Sequence, residues 1–122
     1  MKALVFVALF LSAQTYAQTA PREFPADAAA LSEAATQEGF SGKTYNVKLT
    51  NGSTWKWQFK ADGYFYFNTS DGFSDTGKWS AKESKLCTEG RKMSASCNDI
   101  RRQGATLHYK RDNGDIVPMT LE

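Results

Sequence analysis

The chain has 122 residues, 41% hydrophobic and 13% aromatic, with 15 basic and 13 acidic side chains and a formal net charge of +2. That length holds one domain with a modest core. So balanced a charge gives no footing for a polyanionic partner, and nucleic acid is set aside.

Residues 1–17 read as a secretory signal peptide. Met1-Lys2 gives a positive start, Ala3 to Leu11 is an uninterrupted apolar run, and Ala17 is the small residue before the expected cut at Gln18. The run is too short to span a bilayer comfortably, so no membrane anchor is expected after cleavage. The protein is therefore expected in the periplasm or outside the cell. Residues 18–24 read as a flexible tail and 25–122 as a single β-rich domain. An Ala-, Glu- and Gln-rich stretch, with Pro25 at its start and Gly39 at its stop, predicts a helix over 26–38. Its narrow stripe of Ala28, Leu31 and Ala35 would lie across one end of a sheet. "GFSGKT", Gly39 to Thr44, is not a phosphate loop: its spacing is too short, and a strand follows where a helix should.

From Lys43 the hydrophobic period changes to two. Short alternating runs are separated by Asn51-Gly52, Asp62-Gly63, Asp71-Gly72, Gln103-Gly104 and Asn113-Gly114. This pattern predicts a mainly β chain, an antiparallel meander of seven or eight short strands after one N-terminal helix. It would form either a curved sheet or a small up-and-down barrel. Pro118 points to an edge or terminal position for the last strand.

The densest segment, "TWKWQFKADGYFYF" from Thr54 to Phe67, puts seven rings around Asp62-Gly63. A three-residue loop, Ala61-Asp62-Gly63 with the glycine left-handed, makes Lys60 face Tyr64. Trp55, Trp57, Phe59, Phe65 and Phe67 then share one face, and Lys56, Gln58, Lys60, Tyr64 and Tyr66 the other. A one-residue slip would mix phenylalanine with lysine, so this register is expected. The first set should be core. The second offers a binding surface, with Lys56, Tyr64 and Tyr66 as its candidate residues.

In "SDGFSD", Asp71 and Asp75 stand in an expected hairpin loop over 70–75 and complete the candidate binding set. Two carboxylates are too few for a hard cation, and neither a metal nor a cofactor is expected. Cys87 and Cys97, ten positions apart, read as one disulfide in an oxidising compartment. His108 is the single histidine and should be a half-exposed strand residue opposite in facing to Leu107 and Tyr109. No nucleophile signature accompanies it, so no catalytic residue is assigned. The basic doublets, Lys110-Arg111 among them, read as solvated strand ends.

In order, "FSGKTY", the aromatic strand into "ADG", "DTGKWS", "KLCTE" and "SCNDI" resemble a group of small secreted bacterial proteins of unknown function. The resemblance covers roughly residues 40–100. It implies a lipocalin-like sheet and an exported location, and supplies no active site. The combined expectation is an exported, non-enzymatic binding protein whose partner is another protein, as for an inhibitor or immunity factor, or a small apolar ligand. The alternative is a small secreted hydrolase using His108 with an acid such as Asp99.

Overall fold

The structure is a computed structural model and describes residues 19–122; the expected signal peptide lies outside the described residues. Ten elements follow one another: β1 (Ala29–Ala30), α1 (Glu33–Phe40), β2 (Lys43–Lys48), β3 (Thr54–Phe59), β4 (Tyr64–Thr69), β5 (Ser74–Lys82), β6 (Lys85–Gly90), β7 (Ser96–Gln103), β8 (Thr106–Lys110) and β9 (Ile116–Leu121). Strands β2 to β9 pair in sequence order, all antiparallel, and β9 returns to β2. The sheet is therefore a closed eight-stranded, up-and-down, lipocalin-like barrel with one helix. Closure removes the exposed edges that a curved open sheet would keep.

One turn chemistry recurs at four hairpins. Gly52, Gly63, Gly72 and Gly114 all take positive φ, each after an Asn or Asp. In each, the side-chain oxygen of that Asn or Asp accepts the N–H of the residue after the glycine, as from Asp62 to Tyr64 at 3.1 Å. At the aromatic hairpin the Lys60 N–H donates to the Tyr64 carbonyl at 2.8 Å, and Phe59 pairs with Phe65 and Trp57 with Phe67. This is the three-residue-loop register expected from the sequence. Its apolar face enters the barrel, while Lys56, Gln58, Tyr64 and Tyr66 face outward.

The helix differs from expectation. Pro25 opens a turn closed by the Ala28 N–H at 2.9 Å, not a helix. Ala29 and Ala30 then pair with Arg102 and Arg101, because β7 outlasts β6 and its overhanging edge takes this short strand. The helix starts only at Glu33, where Ser32 caps it by accepting the Ala35 N–H at 3.1 Å. Nor does Gly39 end it: without a Cβ it sits against Arg102 and Leu107, and lets Phe40 reach the core. Phe40 meets Tyr45 and Trp79 edge to face and Phe59 at a tilt, and closes one end of the barrel. Thr36 fixes the plug by donating its hydroxyl to the Glu83 carbonyl at 2.7 Å, in the β5–β6 turn.

The described part of the segment over 18–24 lies against the barrel. The Pro21 carbonyl accepts the Ile116 N–H at 2.7 Å, and Arg22 reaches Asp115 at 3.2 Å and the Asn113 carbonyl at 3.0 Å. Arg101 lies over the Phe24 ring. The segment is a strap along the outside of β7 to β9, held because it satisfies backbone and charge there. Pro118 lies in a strand that pairs on both sides, but before the register with β2 begins at Thr120. It therefore occupies a local edge inside a closed barrel.

Cys87 and Cys97 form a disulfide between directly paired positions of β6 and β7, with Cα atoms 4.0 Å apart. Leu86, Thr88, Asn98 and Ile100 on either side of them are buried, so the disulfide lies on the outer face.

Candidate functional site: an aromatic cup at the open end

The helix plugs the end that carries the turns after β3 and β5. At the opposite end lie turns 50–52, 70–72 and 112–114 and the loop 91–95. There the barrel interior opens into a cavity of about 670 Å³. Trp55, Trp57, Phe67, Phe73, Met93 and Tyr109 supply its apolar wall, and Asp71, Arg111 and Asp112 its charged rim. The rings meet edge to face: Trp57 and Phe67 at 5.1 Å, Trp55 and Phe67 at 5.4 Å, Trp57 and Tyr109 at 5.5 Å. Edge-to-face pairing is an arrangement that aromatic rings prefer.

Trp57 is only 3% exposed, and its indole N–H has no acceptor among the described residues. By contrast the Trp79 indole donates to the Lys60 carbonyl at 2.9 Å. A buried donor without a partner forgoes about 1–3 kcal/mol, and a site that retains one calls for an explanation. At the rim, the Arg111 guanidinium lies 4.9 Å from the Trp55 ring centre. Tyr109 is buried beside it, and burial pushes its phenol well above the ordinary range, with Asp112 adding to the effect and Arg111 opposing it. It stays neutral at any physiological pH.

Asp75 supports one side of the cup from within. It is 7% exposed and its carboxylate accepts the N–H groups of Thr76 at 2.9 Å, Arg91 and Lys92 at 3.2 Å, and Met93 at 2.9 Å. Burial raises its pKa, but the N–H groups of Met93, Thr76, Lys92 and Arg91 outweigh that and hold it below the usual carboxylate value. The loop over 91–95 can fold in this closely because Gly90 and Gly77 lack side chains. A Cβ on Gly90 would stand 2.1 Å from an Asp75 oxygen, and one on Gly77 2.0 Å from the Glu89 carbonyl. Met93, at the end of this clamp, is thereby set into the wall of the cup.

The candidate residues read from the sequence fall into three places. Lys56, Tyr64 and Tyr66 do share the outer face. Tyr64 and Tyr66 are 47% and 45% exposed, the Lys60 ammonium lies over the Tyr66 ring, and Lys56 pairs with Glu122 at 3.5 Å. Beside them an open groove of about 780 Å³ crosses Tyr64, Lys78, Glu89 and the disulfide. Asp71 sits on the rim of the cup, accepting from the Thr69 hydroxyl and more weakly from the Phe73 N–H, which together hold its pKa low. Asp75 is not in the loop expected over 70–75. Strand β5 begins at Ser74, and position 75 shares the inward parity of Gly77 and Trp79.

His108 is half-buried on the outer face, and its Nε2 meets the Gln103 side-chain oxygen at 3.0 Å. Gln103 in turn donates to Asp27 at 2.6 Å, so the nearest acid is Asp27, reached through an amide. Asp99 pairs along the sheet with Lys85 and makes no hydrogen bond to His108 among the described residues. No group of three or more His, Cys, Asp or Glu able to hold a metal occurs among the described residues.

Arg111, read from the sequence as part of a solvated strand end, lies on the rim of the cup, and Phe73 and Met93 were not singled out there. One signal could have found the first: Leu107 and Tyr109 face inward, so Arg111, two further on, shares their side as the strand ends. Compared with protein-family models, curated proteins and solved structures, the chain finds no match in any of the three.

Proposed function

We propose that this is an exported, non-enzymatic protein that binds a small, largely apolar molecule in the cup at the open end of its barrel. The observation that carries the reading is the buried Trp57 indole N–H, without an acceptor, in the wall of an aromatic cavity of about 670 Å³. Ligand sites have this composition: mostly apolar and aromatic walls with a few polar groups that fix orientation. Export is supported by the signal-peptide pattern over 1–17 and by the disulfide, which belongs to an oxidising compartment such as the periplasm or the exterior.

The test is calorimetric titration of the mature protein with 6-methoxy-2-acetonaphthone, a neutral bicyclic ketone with hydrogen-bond acceptors at both ends. One-site saturation is expected, with affinity reduced about fivefold by Trp57→Phe, the loss of one hydrogen bond. Absence of saturable binding by any bicyclic probe, or binding indifferent to Trp57→Phe, overturns the cup.

A protein partner on the outer face is the second reading, favoured by the exposure of both Tyr64 and Tyr66 beside Lys56 and Lys60. It requires that Tyr64→Ala with Tyr66→Ala release a co-purifying partner while the barrel stays folded; a partner retained by the folded double variant excludes it.

A further inference from the structure

The polar groups of the cup are unequally engaged, and this bears on what it would hold. The carboxylates are occupied. Asp71 accepts from Thr69 and Phe73, and Asp112 accepts the Asn98 amide at 2.8 Å. Asn98 also donates to the Lys110 carbonyl at 2.9 Å and accepts the Ser96 hydroxyl at 2.9 Å, so that amide is fully committed. The donors are not occupied. Besides the Trp57 indole, the Arg111 guanidinium makes no side-chain hydrogen bond and no ion pair among the described residues. It is nonetheless half-buried, with its central carbon 4.9 Å from the Trp55 ring centre. A guanidinium is a planar fork of N–H donors, the geometry that takes both oxygens of a carboxylate.

We propose, on the reading of the cup as a ligand site, that it selects small carboxylic acids: a carboxylate on Arg111 at the rim and an apolar, ring-sized body against Trp55, Phe67, Phe73 and Met93. For an acceptor atom on that body to take the Trp57 N–H, which is buried from solvent, the rings over it must part on binding. A cationic ligand fits less well, because the carboxylates that would meet it already accept hydrogen bonds, and the Trp55 and Phe73 rings already carry the Arg111 and Lys92 cations.

The matched probes are 6-methoxy-2-naphthoate and the ketone above, which differ in the carboxylate alone. Calorimetry is expected to find the carboxylate bound about tenfold or more tighter. Arg111→Gln should bring its affinity down to that of the ketone, while Arg111→Lys keeps part of the preference. Thermal melts of both variants, unchanged from the parent, show that the barrel is intact. Equal binding of the two probes, or a preference that survives Arg111→Gln, overturns the selection of acids and leaves the cup standing. Binding of neither probe overturns both.

Discussion

Replacing Asp75 with Ala removes the acceptor on which the loop over 91–95 is folded. The loss can be worked from its partners. The Arg91 N–H keeps a second acceptor, the Thr76 carbonyl at 3.0 Å, so it is not orphaned. Leaving aside the Thr76 N–H, which belongs to the neighbouring residue of β5 and not to the loop, the Lys92 and Met93 N–H groups have only the carboxylate. Two hydrogen bonds to a charged acceptor contribute about 1.5 kcal/mol each at the lower end of their range, which is appropriate where freed groups can turn to water. The expected loss is therefore about 3 kcal/mol at neutral pH, or roughly 12–24 °C in Tm for a domain of this size.

The pH dependence gives a sharper test. The folded-state pKa of Asp75 is depressed, so its contribution is complete above the unfolded-state value near 3.8 and lost as pH falls through the lower folded value. Melting of parent and Asp75→Ala, followed by circular dichroism at pH 7 and at pH 3, should show the difference narrowing in acid. Asp71 titrates in both proteins and cancels. A variant that melts within about 3 °C of the parent at pH 7, or a gap that stays constant on acidification, would refute this account of the clamp.

Gly90→Ala drives a methyl group into the Asp75 carboxylate from the other side and should lower stability by about 2–3 kcal/mol in urea unfolding, in the range of an overpacked core. Combined with Asp75→Ala its further effect should be much smaller, since the two changes damage one clamp. His108 is shifted down by burial, against a smaller opposing pull from Asp27. Its contribution is whole above pH about 6.5 and is lost as pH falls toward the folded pKa, so His108→Gln should flatten the stability profile between pH 7 and 5. Reducing the disulfide, or replacing Cys87 and Cys97 with Ser, frees a loop of about ten residues and should lower unfolding free energy by roughly 2–3 kcal/mol. Added reductant should shift the parent protein and leave the double variant where it was.

Much of the barrel could be read from the sequence because strand parity and turn chemistry agree there. The register of the aromatic hairpin followed from keeping Phe65 and Phe67 with the tryptophans, and Gly63 in a left-handed position enforced the same alignment. Barrel closure could not be read, because the pairing of Tyr45 with Leu121 joins segments with no local signal for each other. The helix was misplaced because alanines satisfy several conformations; the free edge of β7, a tertiary feature, drew Ala29 and Ala30 into a strand. Asp75 and Arg111 were misjudged for a shared reason. Charge and a nearby Asp-Gly or Asn-Gly suggested solvent, whereas their parity with Trp79 and Tyr109 pointed inward. The outer-face residues were located correctly, since a face of lysines and tyrosines needs nothing but alternation to define it.

The seam between β2 and β9 is the shortest of the barrel's lateral joins, with Tyr45–Leu121 and Asn46–Thr120 as its register pairs. Strand β9 is also synthesised after every other strand. Until it emerges, β2 has one partner and the meander is an open ribbon with two raw edges. Each hairpin along that ribbon can form by itself, but none can close the ring, so closure waits on the most distant strand pairing among the described residues and sets the pace of folding.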